Sequence, residues 1–566
     1  MSAKKNILWI MTDQLRWDYL SCTGHPHLHT PNIDSLAERG VRFSNVYVQS
    51  PICGPSRMSS YTGRYCRSHG ATWNGFPLRV DEPTLANHLR DIGVLPAIVG
   101  KTHMKPDLAG MKRLGIDPDS EIGVNIAQCG FEPFERDDGM HPWGPFDPEA
   151  RYNDYLESHG LTGDSPWERY ANTVVDTDGT LKSGWFLENS HLPANIAEEH
   201  SETPYMTRRA IDFMEQAGDQ PWMCHLSFIK PHWPYVVPAP YNDMYGPDDV
   251  LQAVRSEKER ENPHPVFGAY MDSRVCSTFA REEVRQRVIP PYMGLVKQID
   301  DQMGVLFSWM EEQGLMDNTM IVFTSDHGDY LGDHWMGEKD LFHDQSVKVP
   351  LIVYDPRPEA DATRGTVRDE LIEAIDMAPT FLSYFGGSTL PHILEGKNIE
   401  PLLHDPATPA DWRRYAISEY DYATREAREI LGVPQQDARL IMVRDERWKF
   451  IHAEGFRPML FDLQEDPDEL TDLGDSGDAL HVETRARMEA ALAKWTRQHH
   501  NRFTVPPEQL AYMQTIEPTG VIIGFWDEQE YEDTFGEPFV AGTAINQTEA
   551  KRRMDALRQA NKETSS

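Results

Sequence analysis

The chain of 566 residues has few cysteines, no long apolar run and far less positive than negative charge. Its six cysteines, at 22, 53, 66, 129, 224 and 276, form no Cys-x-x-Cys pair, which argues against a disulfide framework and against a cysteine-rich zinc site. No apolar stretch approaches the ~20 residues that cross a bilayer. Lys and Arg number 54 against 90 Asp and Glu, a net charge of -36. That balance argues against a general nucleic-acid or anionic-membrane binder, because phosphate surfaces need clustered Lys and Arg. A small anionic substrate is compatible with it only where positive charge is gathered locally. The opening residues, Met1 to Met11, lack a small-residue cleavage site and run straight into Thr12-Asp13-Gln14. They read as a first strand and not as a signal peptide, so the expected location is the cytoplasm.

What is present is a large supply of core residues: 39% apolar, with 14 Trp, 22 Phe and 21 Tyr, enough for more than one domain. Asn6 to Met11 and Thr319 to Thr324 read as buried strands, each followed by an acidic residue, Asp13 and Asp326. Leu95 to Val99 and Trp222 to Phe228 read as further strands, and Thr84 to Ile92, Tyr205 to Ala217 and Val288 to Gln313 have helical periodicity. The alternation predicts an α/β fold with a large, mostly parallel sheet between helices, and in such sheets ligands gather outside the carboxyl ends of the strands. Residues 1–400 are expected to form this catalytic domain, with 105–202 as an irregular, lid-like segment. Residues 401–500 read as a smaller α+β subdomain: strands at Arg439 to Val443, Trp448 to His452 and Met459 to Leu463, then a helix from Arg485 to Gln498. The tail, 501–566, has a polar helix at Thr548 to Asn561 and is assigned to oligomer contacts.

The chemistry centres on Cys53. Pro55 suits the first turn of a helix, so Cys53 is expected at the positive end of that helix, with Arg57 about one turn further in to stabilise an oxyanion. A buried structural cysteine is the commoner fate of such a residue. Yet Cys53-Gly-Pro55-Ser-Arg57, followed by Thr62-Gly63-Arg64, resembles the Cys-x-Pro-x-Arg signature of the sulfatases. The resemblance implies that Cys53 is oxidised to formylglycine by a formylglycine-generating enzyme. Its hydrate then attacks the sulfur or phosphorus of a sulfate or phosphate ester.

Further motifs follow in the order of that family, over roughly residues 4 to 475. Met11-Thr12-Asp13-Gln14 resembles its first metal turn and Ser325-Asp326-His327-Gly328 its second, which implies Asp13, Gln14, Asp326 and His327, with the modified Cys53, as metal ligands. His327 stands where many members have Asn. Imidazole suits manganese, zinc or iron better than calcium, so one divalent ion is expected, Mn²⁺ first, with Ca²⁺ or Zn²⁺ as alternatives. Gly100-Lys101-Thr102-His103 resembles the family's Gly-Lys-x-His, implying Lys101 as an oxyanion contact and His103 as the base that deprotonates the diol. Lys230-Pro231-His232 and Gly337-Glu338-Lys339 resemble segments that imply His232 in contact with the transferred group or the leaving oxygen and Lys339 beside the leaving group, with either one giving the departing alcohol its proton. A Tyr-Glu pair usual in the family is replaced by His343-Asp344. Taken one at a time, each Asp reads equally well as a helix cap, and each Lys or His as a surface or structural residue.

The resemblance implies an alkaline-phosphatase-like fold and a hydrolase of sulfate monoesters such as aryl sulfates. The alternative is a phosphonate monoester or phosphodiester hydrolase of the same superfamily, in which Tyr and Thr stand where this chain has Lys101 and His103. A catalytically silent relative is disfavoured, because every nucleophile, metal and base position is filled. The expected partners are a small anionic ester and further copies of the chain, as a dimer or tetramer.

Overall fold

The computed structural model describes residues 5–139, 151–498, 526–536 and 538–541. Fourteen strands are described, numbered in chain order: β1 (Asn6–Asp13), β2 (Val41–Tyr47), β3 (Leu95–Gly100), β4 (Glu132–Arg136), β5 (Thr173–Val175), β6 (Leu181–Ser183), β7 (Trp222–Pro231), β8 (Thr319–Ser325), β9 (Leu351–Tyr354), β10 (Thr366–Glu373), β11 (Ala416–Asp421), β12 (Arg439–Arg444), β13 (Trp448–Ala453) and β14 (Met459–Asp462). Eight of them form one sheet in the order β10-β2-β9-β8-β1-β7-β3-β4. β9 runs antiparallel to both neighbours, and every other pairing is parallel, which matches the mixed, mostly parallel sheet expected.

Its central strands β1, β7 and β8 are buried on both faces, as their largely apolar sequences require. Alternate residues of β1 part to opposite sides. Leu8 and Ile10 join a core with Phe213 of the helix Glu202–Ala217 and Ile299 of the helix Glu282–Glu312. Trp9 points the other way, stacking on His225 at 4.2 Å and meeting Tyr61 and Phe381 edge-on, from the helices Cys53–Thr62 and Met377–Tyr384. The helix Glu282–Glu312 begins well ahead of the expected Val288. Pro290 and Pro291 interrupt its pattern in sequence, yet both are buried within it.

The segment expected to be irregular, 105–202, holds short helices at Leu108–Leu114, Glu121–Ala127 and Pro166–Ala171, and the antiparallel pair β5–β6. Side-chain caps from Asp107, Ser120 and Ser165 start those helices. Each is too short to show a period in sequence. Residues 140–150 of this segment lie outside the described residues, as does the expected tail helix Thr548 to Asn561.

A second sheet, β11-β12-β13-β14, is antiparallel throughout and packs under the helix Ala479–Gln498 through Phe450, Met488, Leu492 and Trp495. Its edge strand β11 was not expected from the sequence. The described residues fall into two compact units: one holds both sheets, and the other holds Leu390–Ile393 with the stretch around the helix Glu528–Phe535.

Candidate active site

Four adjacent parallel strands, β8, β1, β7 and β3, end on the same rim of the sheet. Asp13 closes β1, Asp326 follows β8, Lys101 follows β3, and His232 follows β7. Residues more than 300 positions apart are therefore delivered to one place by strand register alone. The turn after β3 needs glycine: Gly100 has φ 109°, and a Cβ there would lie 2.0 Å from the Ser227 carbonyl oxygen. Beyond it His103 takes φ 55°, as Gln14 takes φ 69° after Asp13. Side chains other than glycine hold such angles only where the surroundings fix them. Here the Asp138 carboxylate does so, accepting from the backbone N–H of Thr102 and of His103 at 2.9 and 3.1 Å.

Cys53 is the first residue of the helix Cys53–Thr62 and is fully buried. Its Sγ lies 3.0 Å from His327 Nε2, 3.1 Å from Lys339 Nζ and 3.7 Å from Asp13 Oδ1. Burial works against the thiolate. Lys339, His327 and Lys101, with a hydrogen bond from His103, outweigh it and hold the thiol well below its usual range. Next to it the Gly54 N–H donates to Asn74 Oδ1 at 2.8 Å.

Arg57 has an unexpected place. Its side chain is fully buried between the two carboxylates, with Nε 2.8 Å from Asp326 Oδ2 and Nη2 3.2 Å from Asp13 Oδ2. Nη1 donates to the Lys101 carbonyl oxygen at 3.0 Å and to Ser227 Oγ at 2.7 Å. The guanidinium is thus largely spent on holding β1, β3, β7 and β8 together at the rim. Lys101 Nζ sits 2.6 Å from Asp13 Oδ2. Burial opposes ionisation of Asp13, as does Cys53, but Lys101, His232 and Arg57 hold it below the usual carboxylate range.

Asp13, Cys53, Asp326 and His327 offer four ligand atoms within 4.8 Å of one another, all buried. His327 Nε2 is 3.7 Å from Asp13 Oδ1 and 3.6 Å from Asp326 Oδ1. Burial lowers the affinity of that imidazole for a proton, but Asp326 and Cys53 reverse the effect and bring its pKa to about 9. The cluster therefore demands positive charge where those donors converge. A divalent ion satisfies that demand with two carboxylates and a nitrogen, a donor set suited to a first-row transition metal. Gln14 is placed differently. Its Oε1 accepts from Lys339 Nζ at 3.1 Å, and its Nε2 donates to Asp329 Oδ2 at 2.6 Å, so its amide is engaged by protein groups.

Lys339 and His232 complete the rim. Lys339 Nζ is 3.0 Å from His232 Nε2, and His232 Nδ1 is 2.7 Å from the Trp233 carbonyl oxygen. A carbonyl only accepts, so Nδ1 carries the hydrogen and Nε2 takes the hydrogen bond from the lysine. Burial, then Lys339, push the His232 pKa to about 3, which keeps the ring neutral. The segment that carries Lys339 has left-handed backbone at Leu331, His334, Trp335, Glu338, Asp340 and Leu341. His343 and Asp344 are engaged by groups other than Cys53. His343 stacks on His334 at 3.7 Å, and Asp344 binds Lys449 of β13 at 2.7 Å. Three contributors escaped the sequence reading: Asp329, Asn74 and Asp138, whose positions carry no motif.

The site opens into a cavity of about 730 Å³ that reaches Cys53, Lys101, His103, His232 and Lys339 and is walled by Trp73, Phe76, Trp167, Trp185 and Trp233.

Comparison with known proteins decides the family: residues 5–387 match the model of the sulfatases. The chain belongs to the sulfatase family. Residues 332–498 of this sulfatase also match the model described as N-sulphoglucosamine sulphohydrolase, C-terminal, which spans the second sheet. Among its relatives is the multifunctional alkaline phosphatase superfamily protein PehA of Trinickia caryophylli, 31% identical over 528 residues, 88% of this chain and 96% of the relative. An arylsulfatase of Clostridium perfringens is 27% identical over 83% of this chain and 90% of its own. The structure of a phosphonate monoester hydrolase from Silicibacter pomeroyi superposes with a TM-score of 0.77 at 28% identity, covering 88% of this chain and 96% of the other. This sulfatase therefore has relatives named for sulfate and for phosphonate ester hydrolysis.

Proposed function

We propose that this enzyme hydrolyses sulfate monoesters, aryl sulfates among them, with a formylglycine made from Cys53 as nucleophile. The observation that carries the reading is the surroundings of Cys53 Sγ: a helix N-terminus, Lys339 at 3.1 Å, His327 at 3.0 Å, and His103 within hydrogen-bond reach. Formylglycine, once hydrated, supplies one hydroxyl to attack the ester and a second through which the product is later released. Asp13, Asp326, His327 and the modified residue 53 would hold a divalent ion, which would supply charge neutralisation at the transferred group. Manganese is the ion we favour, with calcium or zinc as alternatives.

The protein's own groups then divide the work. Lys101, anchored on Asp13, presents its ammonium to the oxygens of the transferred group. Arg57 keeps the two carboxylates apart and in register, so its role is positioning. Lys339 hydrogen-bonds the leaving oxygen and stabilises the charge that grows there. Neutral His232 accepts from Lys339 and aims it; with its hydrogen on Nδ1 it is not itself the proton donor. His103, within hydrogen-bond reach of residue 53, takes the proton of the second hydroxyl.

Phosphonate monoesters or phosphodiesters are the second reading, favoured by the likeness to the Silicibacter pomeroyi enzyme. Lys101 and His103 put sulfate first. The ratio of kcat/KM for an aryl sulfate and an aryl phosphonate monoester decides between them. We expect the sulfate to be preferred, and a phosphonate preference of several orders of magnitude overturns the order.

Residues 1–400 act in this reading as the catalytic domain and 401–500 as a subdomain that closes its rim. We further propose a cytoplasmic dimer or tetramer built with the tail, 501–566, and maturation by a formylglycine-generating enzyme. A monomer by light scattering contradicts the assembly.

A further inference from the structure

Arg425 stands in the wall of the same cavity as Cys53, although it comes from the turn that follows β11 in the second sheet. That turn is pinned at both ends. Asp421 accepts from the Ala423 N–H at 3.0 Å and from Thr72 Oγ1 at 2.8 Å, and the Arg425 N–H donates to the Tyr422 carbonyl oxygen at 3.0 Å. The guanidinium lies over the Trp73 ring, 4.9 Å from its centroid. Its Nη2 binds both oxygens of Asp340, at 2.7 and 2.9 Å.

These contacts use one face and one corner of the group. Among the described residues Nη1 makes no hydrogen bond, and the side chain is still 34% exposed, toward the cavity. An arginine held by a carboxylate and an aromatic ring, with N–H donors left over, is preorganised for a second anion. Its neighbours tie it to the reaction. Trp73 precedes Asn74, which accepts from the Gly54 N–H beside Cys53, and Asp340 follows Lys339. A group bound at Arg425 therefore lies in the cavity alongside the leaving part of the substrate, with the Trp73 ring against it.

We propose that Arg425 forms an anion subsite for the leaving group, so that the preferred esters carry a second negative substituent, a carboxylate or a further sulfate, on the alcohol that is released. The proposal rests on the ester-hydrolase reading above and extends it to the substrate. It also gives a physical reason for the second sheet to close over the site: that sheet supplies the residue that reads the far end of the substrate.

The test is a matched pair of substrates, 4-carboxyphenyl sulfate and its neutral counterpart 4-carbamoylphenyl sulfate, in the full-length matured enzyme. The wild type should prefer the carboxylate by about tenfold in kcat/KM, mostly through KM, as expected for one charge-assisted contact. Arg425→Met should bring that ratio close to one, and Arg425→Lys should restore part of it. A wild-type ratio near one, or a parallel fall for both substrates in Arg425→Met with the ratio unchanged, overturns the subsite and leaves Arg425 as a support for the Lys339 segment. Should neither sulfate be hydrolysed, the same pair is measured as phenylphosphonate esters. That result sinks the sulfate reading, while the ratio still decides the role of Arg425.

Discussion

Lys339 Nζ lies 3.0 Å from His232 Nε2 and 3.1 Å from Cys53 Sγ, so one ammonium bridges the cysteine and a neutral histidine. The histidine lone pair fixes where the lysine points. Its role is to position the lysine, because its own hydrogen is committed to the Trp233 carbonyl oxygen.

Replacing that ammonium should cost most where the leaving group is poor. Lys339→Met is expected to lower kcat about 10²- to 10³-fold, the usual effect of removing one preorganised donor. The loss should grow as the pKa of the released alcohol rises. A series of aryl sulfates measures this, and a loss equal across the series contradicts the leaving-group role.

The pattern of what the sequence disclosed follows from the physics of strand ends. Asp13, Lys101, His232 and Asp326 could be placed because each stands just beyond an apolar run, and a parallel sheet sends all such ends to one rim. Arg57 shows the limit. Its spacing from Cys53 gave its height on the helix, but only the packed structure shows its guanidinium between Asp13 and Asp326. Gln14 is a similar case, since sequence cannot say whether an amide faces a metal or a lysine. Asp329, Asn74 and Arg425 come from turns without motif or period, and long-range packing alone brings them to the cavity. The edge strand β11, which leads to Arg425, was missed because Ala416–Asp421 mixes apolar and charged residues without a clean alternation.

Arg57 should matter for stability as well as for activity. Arg57→Met leaves Asp13 and Asp326 buried without their shared partner, and breaking such a pairing costs about 3–5 kcal/mol. Urea unfolding of the variant checks this. An unchanged midpoint contradicts the positioning role given to the guanidinium.

Metal removal should act through the same cluster. Elemental analysis is expected to find one divalent ion per chain, lost on dialysis against a chelator together with the activity, and manganese should restore both better than calcium. Asp326→Asn should retain little metal. A fully active, metal-free enzyme contradicts the ligand set.

Glu419 of β11 gives the fold a pH signature. Burial raises its pKa to about 7, against a hydrogen bond from the Arg67 N–H at 2.9 Å. The folded state therefore holds a proton that the unfolded chain releases near pH 4.5. The stabilisation is full below about pH 4.5 and is lost as pH rises through about 7. Between pH 5 and pH 8 the wild type should lose on the order of 2 kcal/mol of stability relative to Glu419→Gln, which mimics the protonated form. Urea unfolding of both proteins across that range measures it. Parallel pH profiles for the two contradict this assignment.

The mass of the peptide that contains Cys53 tests the central claim most directly. Conversion of the cysteine to formylglycine replaces sulfur and two hydrogens by one oxygen, a loss of about 18 Da at the nucleophile. The account predicts that shift in the active protein, with turnover proportional to the converted fraction. An unmodified thiol in protein that hydrolyses its ester at full rate contradicts it.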